Sequence, residues 1–302
     1  MSSVIAPPHI CIYRGEYLPA TMDFFGKIDG YLQRQEAVTI DFSNCSSITA
    51  AAAVITFAKI TRFQLAADHF KMKSGHQAIQ IALPSDKTVR NFFRSTGFYD
   101  AIRPGGRSKL ERLLHDINNP FKTSNATEAD IQAVIKHLRT RLGTVPGRLI
   151  SALSEAYLNI GHHAYDHDII EELQGRWWQY TSNIRSDGTF SVIIYDTGKG
   201  IPKSLSKKYT DEGNRYAHIE NLVIEYAMIR GNSRYPKNLG RGNGFSNIKQ
   251  PVDVNKEAKH LLIASGKGSV TYKNQEIIKS EMLTNHTYGG TLIEWCFDGE
   301  MK

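Results

Sequence analysis

The sequence is poor in cysteine. Three occur in 302 residues, Cys11, Cys45 and Cys296, and none falls in a paired spacing. That argues against a disulfide framework and against a cysteine-based zinc site. Long apolar runs are also missing. The longest weakly polar stretch, residues 48–58, is alanine-rich and far short of the roughly 20 residues a membrane helix needs. The N-terminus has no basic region followed by an apolar core, so no secretory signal is read there. Neither an internal repeat nor a low-complexity tract is present. These absences predict a cytoplasmic protein with no membrane partner. What remains is ordinary globular composition, 41% hydrophobic and 22% charged, in a length that suits two domains.

The net charge is +7, a balance that keeps an anionic partner such as nucleic acid open. No base-reading motif accompanies it. The cations are spread along the chain with one local excess. Between Pro202 and Gly240 lie Lys203, Lys207, Lys208, Arg215, Arg230, Arg234 and Lys237, against Asp211, Glu212, Glu220 and Glu225. For most of them a solvated surface is the plain reading.

The first half alternates strand-like and helix-like segments. Residues 9–13 form a short apolar run, and residues 38–42 and 78–83 read as strands. Thr21 is placed to cap a helix whose apolar face is Phe24, Ile28, Tyr31 and Leu32. Residues 46–63 read as a second helix, closely packed through its alanines. Pro84 and Ser85 open a third, carrying Val89, Phe92 and Phe93 and ending at Gly97 in a left-handed cap. This alternation predicts an α/β layer. Residues 106–126 are rich in turn signals, among them Asn118-Asn119-Pro120 and Thr123-Ser124-Asn125, and read as a linker spanned in part by a helix over residues 109–115. The expected organisation is a domain over residues 1–105, a linker over 106–126 and a domain over 127–302.

The second half has a different grammar. A helix capped by Thr127, with Asp130 as its box partner, buries Ile131, Val134, Ile135, Leu138 and Leu142 and ends at Gly143. Pro146 suits the first turn of the next helix, which runs to about Ala164. Residues 176–184 and 190–196, joined by Asp187-Gly188, predict a hairpin. A helix over 216–230 presents Ile219, Leu222, Val223 and Tyr226 on one face. Strands at 260–264, 269–272 and 291–297 complete an α+β layer with helices on one side.

Four places in this half carry chemistry. Glu155, Asn159 and His163 are spaced four apart on one helix and share a face. A carboxylate and an amide so placed suit a water and a Mg²⁺ ion, although a polar helix face is the bland alternative. Asp196, Gly198 and Gly200 follow an apolar strand. The acid can accept from an exocyclic amine, and the glycines admit a flat base; a simple turn is the alternative. Gly240, Gly242 and Gly244, followed by Phe245, precede a helix over 246–249 and offer backbone amides and a helix dipole to phosphate. Gly289-Gly290-Thr291 opens the last strand, where a threonine hydroxyl can reach a base. The acid- and histidine-rich run from His162 to Asp168 has metal-ligand composition, but consecutive helical residues point about 100° apart and cannot all meet one ion. Trp177 and Trp178, adjacent in a strand, face opposite sides, so one is expected in the core and the other at the surface or an interface.

Taken in order, these elements resemble the GHKL ATPase/kinase superfamily and its Bergerat nucleotide pocket. Glu155-x-x-x-Asn159-x-x-x-His163 is similar to the N box, Asp196-x-Gly198-x-Gly200 to the G1 box, Gly240-x-Gly242-x-Gly244-Phe245 to the G2 box, and Gly290-Thr291 to the terminal Gly-Thr element. The likeness runs from Thr127 to the C-terminus and implies an α+β two-layer sandwich that binds ATP and Mg²⁺. It implies that Asn159 ligates the metal, that Asp196 binds the adenine amine and that Glu155 is the general base. It also implies that the segment from Pro202 to Gly240 is a lid, with Arg230, Arg234, Lys237 or Arg241 meeting the phosphates. Within the superfamily, the stretch from Ser154 to Tyr165 looks like the anti-sigma-factor serine kinases. Histidine kinases add an accepting histidine on a separate hairpin, which His137, inside the helix leading to the pocket, does not match.

The first half resembles a STAS domain, through the strand and helix start from Val38 to Ala50 and the segment from Ser85 to Phe98. Signalling members place a phosphorylated serine where Ala50 stands here, with Ser46, Ser47 and Thr49 nearby. The implied protein is a regulator with an α/β STAS-like domain followed by the GHKL domain. It would act as a protein kinase or an ATP-gated partner switch on a protein partner, such as a regulatory or sigma-like factor. Two other readings stay open. One is an ATPase that closes a homodimer on nucleotide. The other is a non-catalytic interaction protein that holds nucleotide as a structural ligand.

Overall fold

The computed structural model describes residues 2–72, 74–125, 127–166, 170–182, 188–229 and 244–299, the side chains of 127–129 excepted. Two compact units divide the chain. The first comprises Met1–Ser124 with the short stretches Ile170–Leu173 and Trp178–Tyr180, and the second the remainder.

In the first unit, the β-branched segments become parallel strands. β1 (Ser2–Ile5), β3 (Val38–Asp41) and β5 (Ile79–Ala82) form one sheet in the order β1-β3-β5, and the two-residue strands β2 (His9–Ile10) and β4 (Ser47–Ile48) pair separately. Parallel neighbours need helical crossovers, and α1 (Leu18–Gln33) and α2 (Ala50–His69) supply them. The N-cap of α1 is Tyr17, with Pro19 in the first turn. Thr21 is therefore inside the helix rather than its cap, and its hydroxyl accepts from the Cys11 amide at 3.0 Å. Among the described residues, α2 alone is long and apolar enough to cross a membrane, but 89% of that window is buried, so it is the core helix of its unit.

Asp86 caps α3 (Lys87–Ser95) by accepting from the Val89 amide at 2.9 Å. Gly97, at φ +74°, turns the chain into α4 (Phe98–Ile102). Phe42, Phe93, Phe98 and Phe121 meet edge-on or tilted at 5.0–6.3 Å, geometry that adds to the burial of their area. Residues 107–124, expected as part of the linker, instead form α5 (Arg107–His115) and β6 (Phe121–Ser124) and belong to the first unit.

In the second unit, α6 (Thr127–Leu142) buries Val134 and Leu138. Gly143, at φ +66°, follows its end. The predicted Thr127 cap falls on a side chain outside the described set. Pro146 precedes α7 (Leu149–Asn159) rather than opening it, and the helix widens after Asn159 into a π-turn over Ile160–Ala164. β7 (Trp177–Thr181) and β8 (Thr189–Asp196) occupy the places predicted for the hairpin, whose Asp187 lies outside the described residues. Both tryptophans of β7 are buried, so neither takes the surface alternative. Trp177 packs on Tyr157, with ring centroids 4.6 Å apart, whereas Trp178, which belongs to the first unit, donates there to Thr61 Oγ1 at 2.7 Å.

After β8 come α8 (Gly200–Asp211), α9 (Glu220–Met228) and α10 (Gly244–Val254). The strands β9 (Ala258–Ser265), β10 (Gly268–Lys273), β11 (Glu276–Met282) and β12 (Thr291–Asp298) then make an antiparallel sheet. Within the second unit its order from the outer edge is β11-β10-β9-β12-β8. β12 is thus the last strand in sequence but central in space, between β9 and β8. Trp295 of β12 is fully buried and donates to the Ile248 carbonyl of α10 at 2.8 Å, fixing α10 on the sheet. Trp295→Phe keeps most of the apolar volume and leaves that buried carbonyl without its donor. Denaturant unfolding should show a loss of about 1–3 kcal/mol.

Candidate functional site

α7 places Glu155 and Asn159 one turn apart and half-buried. The first residue of α10 closes against both. A Cβ on Gly244 would stand 2.5 Å from Glu155 Oε1 and 3.3 Å from Asn159 Nδ2. A side chain at this position would require the Glu155 carboxylate to move aside. One turn into α10, Asn247 Nδ2 donates to Glu155 Oε2 at 3.4 Å, and Gln250 Nε2 reaches Asn247 Oδ1 at 3.5 Å. The Glu155 carboxylate therefore lies at the N-terminal end of α10, where the helix dipole favours negative charge. His163 falls in the π-turn, half-buried and 5.9 Å ring to ring from His162. Single π-turns of this kind occur often at functional sites.

Asp196 ends β8 with only 3% of its surface exposed. Its carboxyl accepts from the Gly198 amide at 2.8 Å and from the amide and hydroxyl of Thr291, which faces it across the β8–β12 register. Burial pushes this carboxyl up to about 7 from an ordinary 3.8, and the hydrogen bonds offset only part of the rise.

The glycines around it are sites of close backbone approach. A Cβ on Gly290 would run into the Asp196 carbonyl, and one on Gly198 into the carbonyl of Ala164 at the end of the π-turn. That same carbonyl accepts from the Lys199 amide at 2.7 Å. Gly200, at φ +82°, starts α8 within reach of Ser265. Ser265 Oγ accepts from the Ile201 amide at 2.8 Å, donates to the Gly290 carbonyl at 3.1 Å and lies 2.9 Å from Thr291 Oγ1. Lys199 is tied to Asp166 at 2.7 Å.

Phe245 packs with Ile201, Ala217 and Leu222 on the cluster of Leu205, Tyr209, Val223, Tyr226 and Ala227. The residue after Gly244 is thereby joined to α8 and α9. The ends of α9 are held too. Glu220 accepts from the Lys267 amide at 2.6 Å in the β9–β10 turn, and Tyr226 donates to Glu212 at 2.5 Å.

Two groups of the expected residues are thus brought together, Glu155 and Asn159 with Gly244, and Asp196 with Gly198, Gly200 and Thr291. Ala164 links the helix of the first group to the loop of the second. Gly240, Arg241, Gly242, Arg230, Arg234 and Lys237 lie outside the described residues, as do His167 and Asp168. Among the described residues, no three His, Cys, Asp or Glu side chains gather as metal ligands.

Sequence reasoning missed Ser265 and Asn247. Ser265 stands opposite Thr291 in the β9–β12 register, a pairing that no local pattern discloses. Asn247 was accessible in principle, because three residues after Gly244 is one helical turn. It also missed that the segment after Gly200 is helical, as α8, before the turn into α9.

The Gly198–Ala164 approach can be tested directly. Gly198→Ala should lower the stability of the full chain by about 1–3 kcal/mol, in the range of overpacking, because backbone rather than a flexible side chain stands in the way. An unchanged urea midpoint would remove that contact from the site. Compared with models of known protein families and with curated proteins, the sequence matches none.

Proposed function

We propose that the second unit binds ATP with Mg²⁺, in the manner of the GHKL superfamily, and that the protein is a cytoplasmic regulator that passes the γ-phosphate to a protein or uses nucleotide to gate a protein partner. The observation that carries this reading is the closure of Gly244 on Glu155 and Asn159. Residues 85 or more positions apart in sequence share one small site there. It combines a carboxylate, an amide oxygen and the amide-bearing start of a helix, the set that phosphate and a hard cation require.

The residues present suit the nucleotide at both ends. Asp196 is a buried acceptor whose three donors leave its ionisation unfavourable, so an amine donor from a base would complete it. Asn159 would hold Mg²⁺ through its amide oxygen, and bound Mg²⁺ supplies charge neutralisation for the phosphates. Glu155, at the start of α10, is placed to accept a proton from an incoming hydroxyl, its carboxylate oriented by Asn247. Thr291, Gly200 and Ser265 fix the base side. The α/β first unit, which resembles a STAS domain in sequence, supports a regulatory protein over a metabolic enzyme.

Several outcomes are expected. Asp196→Asn should lower ATP affinity at least about tenfold, the scale of a lost charge-assisted hydrogen bond, with the melting temperature of the chain retained; calorimetric titration measures both. Because burial raises the Asp196 carboxyl to about 7, the acceptor form is lost as pH falls through 7. Affinity should therefore drop on going from pH 8 to pH 6, and Asp196→Asn should flatten that dependence. Glu155→Ala should keep ATP and lose phosphate chemistry.

The deciding experiment follows γ-labelled ATP with Mg²⁺ through incubation with the protein and its host lysate. Label on a protein band is the expected result. Label released only as free phosphate would favour the nucleotide-closed ATPase instead. Absence of ATP binding by the wild-type chain would sink the proposal.

A further inference from the structure

β11 is the outer strand of the sheet and, among the described residues, pairs with β10 alone. Such an edge presents unpaired amides and carbonyls to solvent, and proteins commonly blunt it. Here Ile277, Ile278 and Met282 are exposed at 40%, 57% and 44%. The pairing with β10 steps from Thr271–Lys279 to Tyr272–Ile277, so Ile278 is the extra residue of a bulge with no counterpart on β10. Lys279 and Glu281 share the opposite face from Ser280 and pair with each other at 2.8 Å, both more than half exposed. Ser280 is turned to α9, accepting from Asn221 and donating to Glu225.

Read from its centre, this strand is complementary to itself. Antiparallel pairing of two copies about Ser280 sets Lys279 opposite the Glu281 of the other copy, twice. It sets Ile278 opposite Met282, also twice, with Ile277 and Leu283 flanking. Opposite charges and apolar pairs directly across an antiparallel ladder stabilise it, whereas like charges there destabilise it. The register centred one residue earlier would oppose Lys279 to Lys279 and Ile277 to Glu281, so the charges select the first. We propose that two copies of this chain associate through β11, paired antiparallel about Ser280, so that the sheet of one copy continues into that of the other. A two-fold interface of this kind uses the same patch on both copies. A strand pair of this length is small beside the roughly 1,200–2,000 Å² of stable interfaces, so the association is concentration-dependent.

The test is sedimentation equilibrium of the full chain without nucleotide, from micromolar to near-millimolar concentration, which separates this contact from any nucleotide-driven closure. A monomer–dimer equilibrium is expected for the wild type. Lys279→Glu and Glu281→Lys should each weaken it by about tenfold or more, because each replaces two opposite-charge pairs with like-charge pairs. Mixing the two single variants should restore association as a heterodimer, and the double exchange should restore it within one chain. Both positions are exposed, so the melting temperature should change little in any variant. A wild type that stays monomeric throughout would overturn the proposal and leave the edge to another protein's strand. Dimerisation that the single exchanges leave untouched, or that mixing fails to restore, would overturn it as well.

Discussion

The second unit depends on a place where three backbones meet without side chains between them. Asp196 ends β8, Gly290 comes down on its carbonyl from the loop before β12, and Gly198 comes against the carbonyl of Ala164. Thr291 then clamps the Asp196 carboxyl, and Ser265 ties Gly290, Thr291 and Ile201 with one hydroxyl. Three neighbouring strands, β9, β12 and β8, and the start of α8 are fixed at this point. Among the described residues the buried acid is held by hydrogen bonds rather than by a counter-ion, and burial makes its charge costly. Between the ordinary carboxylate value and about 7 the folded chain binds more protons at Asp196 than the unfolded chain does, and stability contributed by this group falls as pH rises through that window. A fold does not keep such a group for its own sake while apolar residues of similar size remain open to it.

From that point the arrangement extends through helix ends. The π-turn after Asn159 carries Ala164 to Gly198, and α7 behind it carries Glu155 and Asn159 to Gly244. Phe245, next in sequence, is packed into the cluster that joins α8 and α9. A shift of α10 along its axis would therefore be felt at once by the Glu155 carboxylate and by the α8–α9 pair. Trp295 opposes such a shift from the sheet side, through its bond to the Ile248 carbonyl. Coupling between Glu155 and the α8–α9 pair thus has a physical carrier, a close-packed glycine–phenylalanine step with a polar contact on one side and an aromatic cluster on the other.

How much of this was legible in the sequence differs from element to element. The strands with β-branched cores, residues 38–41, 79–82, 189–196 and 291–298, were found to within a residue or two, because their composition and bounding turns agree. β11 was not, because its exposed, mixed pattern of Ile, Lys, Ser and Glu has neither a buried face nor an alternation to detect. α8 was missed because Pro202 and five polar residues hide its short buried stripe of Leu205 and Tyr209. Thr21 was misread as a cap since a threonine before an apolar helical face serves either purpose, and only the distant Cys11 amide decides. At the site, Glu155, Asn159, Asp196 and the glycines could be named from spacing, whereas Ser265 could not. Its role comes from a cross-strand register set by the whole sheet.

A perturbed acid or base is not enough to mark a site, and the first unit supplies the control. Lys109 there is 3% exposed, and burial pushes its amine down to about 7 from 10.5. Yet its Nζ donates to Gln64 Oε1, the Ala101 carbonyl and the Arg103 carbonyl at 2.8–3.0 Å, a full set of partners for one ammonium. Every polar atom is accounted for within the fold, and the lysine serves as a plug at the end of α4. Asp196 is equally buried, but it lies beside backbone kept bare by glycine, linked through Ala164 to a second group of polar residues that glycine also keeps accessible. The difference is convergence. Local rules are broken several times over in one small region of the second unit, by a π-turn, a left-handed glycine, backbone pressed on backbone and a buried acid whose hydrogen bonds offset only part of its burial. Clustered violations of this kind single out a candidate site, whereas one that stands alone with its partners satisfied is explained by the fold.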